Sequence, residues 1–504
     1  ITTGNFNSVF GKSAGSGITT GIENVLVGVI AGDALTDADY NIAMGSNSLT
    51  SDTKGSRSTA LGAYTLSAQN FTTATDNYNT AVGYGAGNDI TTGIRNVLIG
   101  GLAGDALTDS DQNVAVGYGA LTADTLGKNS VAVGNNALEN QNFTTATDTF
   151  NVAVGVNAGN AVTTGTQNTL VGSLTGDAIT TGTNNTFLGY RSGSATTTAN
   201  GNTGVGTDAL KTNILGAHSI AIGSAALETQ NYGTATSAFN TGVGSNVGAS
   251  VTTGVQNTLV GARAGDALTD ADFNVAMGME ALTTDTLGSK STAIGFQALK
   301  TQNFTTATDS HNVAMGYFAG QALTTGTENT IIGSEAGKTL TTGSENVAVG
   351  YAALAFEDGH GKNTAVGWSA LKNLNAGGNA FNTAVGNNAG RDMGVGTENT
   401  LVGAQSGDAI TSGSQNVAMG VNALGSETSG TFNIALGREA LKTQNGGTYN
   451  IGVGRTAGML ITTGVQNVIM GGNAGDALTD ADDNIAIGFS ALTRDTLGSK
   501  TVAI

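Results

Sequence analysis

Asn113-Val114-Ala115-Val116-Gly117 is the phrase on which the fold turns, because the chain repeats it almost from end to end. It recurs as Asn24-Val-Leu-Val-Gly28, Asn79-Thr-Ala-Val-Gly83, Asn274-Val-Ala-Met-Gly278 and Asn484-Ile-Ala-Ile-Gly488. With Asn or Ser as the opening residue there are 28 full copies between Asn7 and Asn484, and Thr501-Val-Ala-Ile504 is a clipped one. Consecutive openings are 17 residues apart in nearly every case. The step lengthens to 21 after Ser58, Ser130, Ser219 and Ser291, and to 19 after Asn363. Three steps of 17 and one of 21 make a higher repeat of 72 residues. A fixed period of this size identifies a repeat architecture before any other feature is weighed.

Numbering each unit from its opening Asn as position 0, position 4 is Gly, position 7 is nearly always Ala and position 3 is a large aliphatic residue or Phe. Position 1 is usually Val, Thr or Ile, and position 2 usually Ala or Leu. Side chains alternate across a strand, so positions 1 and 3 share one face and position 2 takes the other. Beyond position 7 the units come in two kinds. One carries Leu at position 8, as in Ala120-Leu121-Thr-Ala-Asp124; the other carries Gly there, as in Gly159-Asn-Ala-Val162-Thr-Thr-Gly165. Each kind supplies one large aliphatic group to a second buried slot, as a stacked core of constant section requires. Helix is excluded by the lack of a 3.6-residue period and by Gly inside every unit.

Composition agrees. The chain has 504 residues, with 78 Gly, no Pro, no Cys, 11% charged and 5% aromatic residues, too few large apolar groups for several ordinary globular cores. Proline cannot donate to a backbone ladder, so its absence suits a chain paired along its length. Without Cys there are no disulfides or thiolate metal sites. A net charge of −18 opposes binding to nucleic acid or anionic membrane. No apolar run approaches the roughly 20 residues of a transmembrane helix. Neither an initiator Met nor a signal peptide is present, and both ends fall inside repeats, so a segment of a longer protein is expected.

These features predict an all-β chain: a parallel β-solenoid or β-roll over residues 1–504, one coil per unit, without an internal boundary. At about 4.8 Å per coil the rod would be on the order of 135 Å long. Stacking sets each opening residue over the next, so Asn24, Asn41, Asn79, Asn96, Asn113, Asn151 and Asn168 are expected to form a side-chain amide ladder. Positions 1 and 3, Val116 among them, are assigned to the interior. Position 2 then places a stripe of Ala on the outside, a surface for close approach of further copies. A homotrimer is expected.

Asn-x-Ala-x-Gly-x-x-Ala, as in Asn113–Ala120 and Ser130–Ala137, resembles the head repeat of YadA-like trimeric autotransporter adhesins. The longer pattern, with Asn-Thr-Ala-Val-Gly-Tyr, Ala-Leu, Thr-Thr-Gly and Asn-Phe-Thr-Thr-Ala-Thr-Asp, is similar to repetitive tail-fibre and virion proteins of marine bacteriophages, cyanophages among them. The resemblance covers essentially the whole chain and implies a left-handed β-roll with three chains around one axis. Its unit is longer than that of the adhesin head, which leaves the outer turn of each coil open.

Four features are candidates for more than structure. Asp33, Asp37 and Asp39 fall within seven residues, as do Asp105, Asp109 and Asp111, Asp266, Asp270 and Asp272, and Asp476, Asp480 and Asp482. Such triplets are candidate Ca²⁺ ligands, although their spacing matches no standard calcium loop, and they equally suit solvated turns before a strand. The four-residue insertion, Asn70-Phe71-Thr-Thr-Ala-Thr-Asp76, has copies at Phe143 and Phe304 and a variant at Tyr232. These aromatics are candidate loop contacts to a ligand such as a sugar, or else fold back over their own loops. Thr-Thr-Gly ranks suggest an ice-binding face, against which the Leu-type coils are expected to interrupt the row. His218, His311 and His360 are scattered without a nucleophile at suggestive spacing, and the main irregularities are Phe356–Lys362 and Asn373–Ala380. No enzyme is expected, and no cofactor. The expected role is that of a rigid extracellular shaft, in a virion tail fibre or on a bacterial surface. Its partners are itself and, through a tip outside this segment, a host-surface glycan or protein receptor.

Overall fold

A computed structural model describes residues 3–504. The chain divides into two compact units, Ile1–Val255 and Gln256–Ile504, and each is a parallel β-solenoid. Among the described residues a short strand covers positions 1 to 3 of each repeat, fourteen in the first unit and fifteen in the second, the last of them, Val502–Ala503, spanning positions 1 and 2 only. Strand Val114–Val116 pairs in register with Val131–Val133, so that Val lies on Val and Ala on Ala. In the second unit Val417–Met419 pairs in the same way with Ile434–Leu436. The 17-residue period is therefore one turn of the solenoid. Where the step is 21, the four extra residues extend the pairing: Gly55–Ser56 pairs with Thr75–Asp76, and Gly127–Lys128 with Thr147–Asp148. Gly216–Ala217 and Gly288–Ser289 repeat the arrangement.

Backbone groups of a turn bond alternately to the turns on either side. Val114 N–H donates to the carbonyl of Ser130 at 2.9 Å, and Gly117 N–H to that of Ile99 at 2.7 Å. Leu121 N–H, past the strand, reaches Ala137 at 3.0 Å. Three corners per turn lie in the left-handed region, exemplified by Gln112 (φ 60°), Gly119 (φ 62°) and Leu121 (φ 56°). Proline, fixed near −65° and lacking an N–H, fits none of them. The Gly at position 4 has a second reason. At Gly117 φ is +137°, and an added Cβ would lie 2.3 Å from the carbonyl oxygen of Gly134 in the next turn.

The two strand faces are the reverse of the assignment made from the sequence. Position 2 points inward: Ala115, Leu98, Leu170 and Phe187 are completely buried. Positions 1 and 3 point outward, and Val114 and Val116 are only half-buried. Alternation fixes which residues share a face but not which face is inside. The interior of a turn encloses the single side chain at position 2, Ala or one Leu, Ile or Phe, and the pair at positions 1 and 3 is left on the outside. The expected complementarity beyond position 7 is present. Leu98 and Leu107 fill the interior of their turn across Gly104, whereas Ala115 leaves room for Leu121. At Gly32 a Cβ would meet Leu26 Cδ2 at 2.9 Å and Leu35 Cδ1 at 2.8 Å, so Leu at position 2 demands Gly at position 8.

Candidate functional surface and buried polar sites

The opening residues form a ladder inside the solenoid. Asn24, Asn41, Asn79, Asn96, Asn113, Asn151 and Asn168 are all buried. The main bonds run to the backbone rather than between amides. Asn24 Oδ1 accepts the N–H of Asn41 at 2.9 Å, and Asn24 Nδ2 donates to the carbonyl of Ala38 at 2.7 Å. Asn96 and Asn113 repeat this, with Asn79 Oδ1 accepting from Asn96 N–H at 3.0 Å and Asn96 Oδ1 from Asn113 N–H at 3.0 Å. Asn151 Oδ1 likewise accepts from Asn168 N–H at 3.0 Å. Direct amide-to-amide bonds are an addition, as between Asn168 Nδ2 and Asn151 Oδ1 at 3.4 Å. A carbonyl oxygen on a short side chain thus satisfies a buried donor that the strand ladder leaves over.

Ser opens the turns that precede an insertion, and its hydroxyl does not reach the next opening N–H. The insertion supplies the acceptor instead: Asn79 N–H donates to Asn77 Oδ1 at 2.9 Å, and Asn151 N–H to Thr149 Oγ1 at 3.4 Å. Beneath each insertion, position 11 changes from aliphatic to polar. Buried Asp52 Oδ1 accepts the N–H groups of Gly55 and Phe71, each at 3.0 Å, and its Oδ2 accepts from Gln69 Nε2 at 2.6 Å. Gln69 also bonds Ser58 Oγ at 2.9 Å and Asn79 Nδ2 at 2.9 Å. Asp124 with Gln141 and Asp285 with Gln302 repeat the network. Burial raises the pKa of Asp52 and of Asp124, and the bonds from Gln and backbone offset it only in part. No motif announced this network. Its one sequence signal is the exchange of an aliphatic residue for Asp and Gln at position 11 of successive turns.

The insertion aromatics are not available to a ligand. Phe71 and Phe143 are 6% exposed, and Tyr232 and Phe304 5%. The rings of Phe71, Tyr232 and Phe304 each fold over a glycine: an added Cβ on Gly55 would lie 2.7 Å from Phe71 Cδ2. Tyr232 uses its hydroxyl to donate to the carbonyl of Gly254 at 2.7 Å. The ring closes the widened turn, where exposure would forfeit its apolar surface. The outward residues of the loop are Thr72, Thr73 and Ala74.

The acidic triplets do not converge. Asp33 Oδ1 accepts from Thr50 in the following turn at 2.6 Å, whereas Asp37 accepts from Thr20 in the preceding one, also at 2.6 Å. Asp39 accepts the N–H of Ile22 at 2.8 Å. Asp105 bonds Thr122, Asp109 bonds Thr92 at 2.8 Å, and Asp111 accepts from Ile94 N–H at 3.0 Å while pairing with Lys128 at 2.6 Å. These carboxylates tie neighbouring turns together in opposite directions. Among the described residues, the one group of three acids or histidines whose ligand atoms lie within 4.8 Å of one another is Glu357, Asp358 and His360.

Thr at position 12 bonds to the turn that follows. Thr108 Oγ1 donates to the carbonyl of Thr125 at 3.1 Å, and Thr36 Oγ1 to that of Thr53 at 3.0 Å. Thr125 and Thr53 belong to Leu-type turns, so some of those turns continue the row, but most interrupt it as expected. It breaks where Asn70, Asn142, Asn231 or Asn303 begins an insertion, and again at Ile214, Asp358, Asn375, Gly394 and Asn445. These hydroxyls serve the backbone of the adjacent turn.

The most extensive feature is the outward face of the strands. Position 3 is Val, Ile, Leu, Met or Phe in every strand, position 1 is Val, Ile, Thr or Ser, and neither ever carries a charge. Val25, Val27, Ile42 and Met44 form part of this stripe in the first unit, and Val275, Met277, Val417 and Met419 in the second. Aromatics flank it at position 5, where Tyr84 is 63% and Trp368 50% exposed. Others stand at the residue before the opening Asn, and some stack from turn to turn: Phe432 on Tyr449 at 4.8 Å, and Tyr351 on Trp368 at 5.9 Å. His218 joins the same edge, stacked on Phe239 at 5.3 Å. No helix long and apolar enough to cross a membrane occurs among the described residues. Neither protein-family models nor curated proteins give a match to the sequence.

Proposed function

We propose that the chain is a structural shaft segment that assembles as a homotrimer through the outward strand face, in a virion tail fibre or a similar appendage that serves host attachment. The observation carrying this reading is the uncharged stripe at positions 1 and 3, continued turn after turn within each unit. Monomeric proteins rarely expose contiguous apolar patches beyond a few hundred Å². The stripe repeats once per 17 residues, so an occupant that covers it must carry the same axial repeat, and a second and third copy of this chain do. Large β-branched and thioether groups there supply more apolar area to such an interface than the Ala stripe anticipated from the sequence. The mechanism is mechanical: ladders of backbone, Asn and Thr bonds lock each turn to the next.

The chain contains no Cys, so single thiols can be placed at will. In the assembled protein, a thiol introduced by V116C should react with a bulky maleimide far more slowly than one introduced by T145C in an exposed insertion loop. Equal rates would remove the support for this interface. The owner of the shaft is tested by the coding sequence on either side. A baseplate-type domain or compact receptor-binding tip is expected; a membrane-anchoring β-barrel after a coiled coil would replace the virion reading with a bacterial adhesin.

A further inference from the structure

The slot at position 11 holds a buried carboxylate in several turns, and in one of them its charge is not compensated as in the others. Asp52, Asp124, Asp285 and Glu427 each receive a side-chain amide from the turn above, supplied by Gln69, Gln141, Gln302 and Gln444. Glu427 is the fullest case. Its Oε1 accepts N–H groups from Ser429 at 2.9 Å, Gly430 at 2.5 Å and Gly446 at 2.8 Å, and its Oε2 accepts Gln444 Nε2 at 3.0 Å. Glu357 occupies the same slot and is equally buried, but the residue above it is Leu374, which has nothing to donate. Its Oε1 accepts the backbone N–H of His360 at 3.1 Å, and its Oε2 has one long bond, from Ala376 N–H at 3.4 Å. A buried carboxylate with fewer donors than its counterparts is costly when ionised and draws positive charge to itself.

What surrounds Glu357 is a set of metal-ligating atoms. His360 Nδ1 lies 2.9 Å from Glu357 Oε1, and Asp358 Oδ1 lies 3.8 Å from the same nitrogen. Bonds of about 2.0–2.2 Å to nitrogen and oxygen place tetrahedral ligands roughly 3.3 Å apart. The spacing here brackets that value. All three residues sit on one tight turn, Phe356–Lys362, where the ordinary Thr-Thr-Gly corner is replaced. Asp358 is exposed and His360 partly so, which gives an ion entry from solvent and leaves positions for water.

We propose that Glu357, Asp358 and His360 bind a first-row divalent transition-metal cation, Zn²⁺ being the type case, and thereby pin this irregular turn. The imidazole selects against Ca²⁺ and Mg²⁺, which take all-oxygen shells. On binding, His360 Nδ1 gives up its bond to Glu357 and both become ligands of the ion, with release of any proton held between them.

The test is titration of the purified full chain with Zn²⁺ by calorimetry, and with Co²⁺ by visible absorption, beside D358N and H360A. Asp358 is solvent-exposed, so D358N keeps the fold and isolates the ligand role. One equivalent per chain is expected, with a Co²⁺ d–d band, and Ca²⁺ in excess should not displace it. Each variant should weaken binding by more than about tenfold, a loss that even a partner outside the ligand shell can cause. Absence of binding, or binding unchanged in both variants, overturns the proposal.

Discussion

Removing one rung of the Asn ladder has a cost that can be worked from its bonds. Asn416 Nδ2 donates to the carbonyl of Gly430 at 2.8 Å and to Asn399 Oδ1 at 3.1 Å. Its Oδ1 accepts from Asn433 N–H at 3.0 Å and from Asn433 Nδ2 at 3.1 Å. Asn416→Ala keeps the backbone of residue 416 but strands two buried backbone groups, the N–H of Asn433 and the carbonyl of Gly430. Each stranded group costs about 1–3 kcal/mol, and partial relaxation puts the sum near 2–4 kcal/mol. Stability in stacked repeats is set by nearest neighbours, so the loss should be local. Amide exchange of residues 430–436 should therefore accelerate by roughly 30- to 700-fold, at 1.4 kcal/mol per factor of ten. Asn416→Ser should fare no better, because the Ser found at Ser58 or Ser130 relies on an acceptor brought by an insertion, and no insertion follows residue 416. The control is Gln415→Ala at an exposed corner, expected to stay within about 0.5 kcal/mol. Unchanged exchange in Asn416→Ala, or full rescue by Ser, would refute the account of the ladder.

Other consequences can be checked alongside. Gly117→Ala puts a methyl 2.3 Å from the carbonyl oxygen of Gly134 and should abolish soluble folded protein, whereas Gly233→Ala meets no atom within 4 Å and should leave the melting temperature unchanged. Ala115→Asp buries a charge in the core and should unfold its turns by circular dichroism, while Val116→Asp, on the outward face, should keep the strands and abolish association. Asp52 and Asp124 have pKa values raised by burial above the ordinary 3.8. A raised carboxyl pKa means that folding favours the protonated form. The stability this provides is fully present below the unfolded value and is lost as pH rises through the folded one. Relative to a D52N/D124N variant, which does not titrate there, the wild type should thus lose stability as pH rises above the ordinary carboxylate value of about 4. A relative gain as pH rises would contradict the burial argument.

The period, the pairing and the ladder positions were legible in the sequence because each is a matter of counting. Seventeen residues from Asn113 to Ser130 set Val131 beside Val114, which is the register of the strands. The inside and outside of the strand were not legible: Val114 and Val116 look like core, and only the width of the turn shows that Ala115 is the residue it admits. In the sequence Phe71 is open between a ligand contact and folding back over its loop, and the glycine beneath it, Gly55, which receives the ring, decides for the second. The Asp triplets share a short stretch but bond to turns on opposite sides, which sequence spacing does not convey. Buried Glu357 differs from Glu427 through Leu374, a residue one turn away, and that neighbour is defined only by the stacking.

The central claim is that the outward stripe joins copies of this chain, and molar mass by light scattering tests it most directly. The account predicts a species of three times the chain mass of 49.8 kDa that persists on dilution. A stable species at one chain mass, with its strands intact, would contradict it.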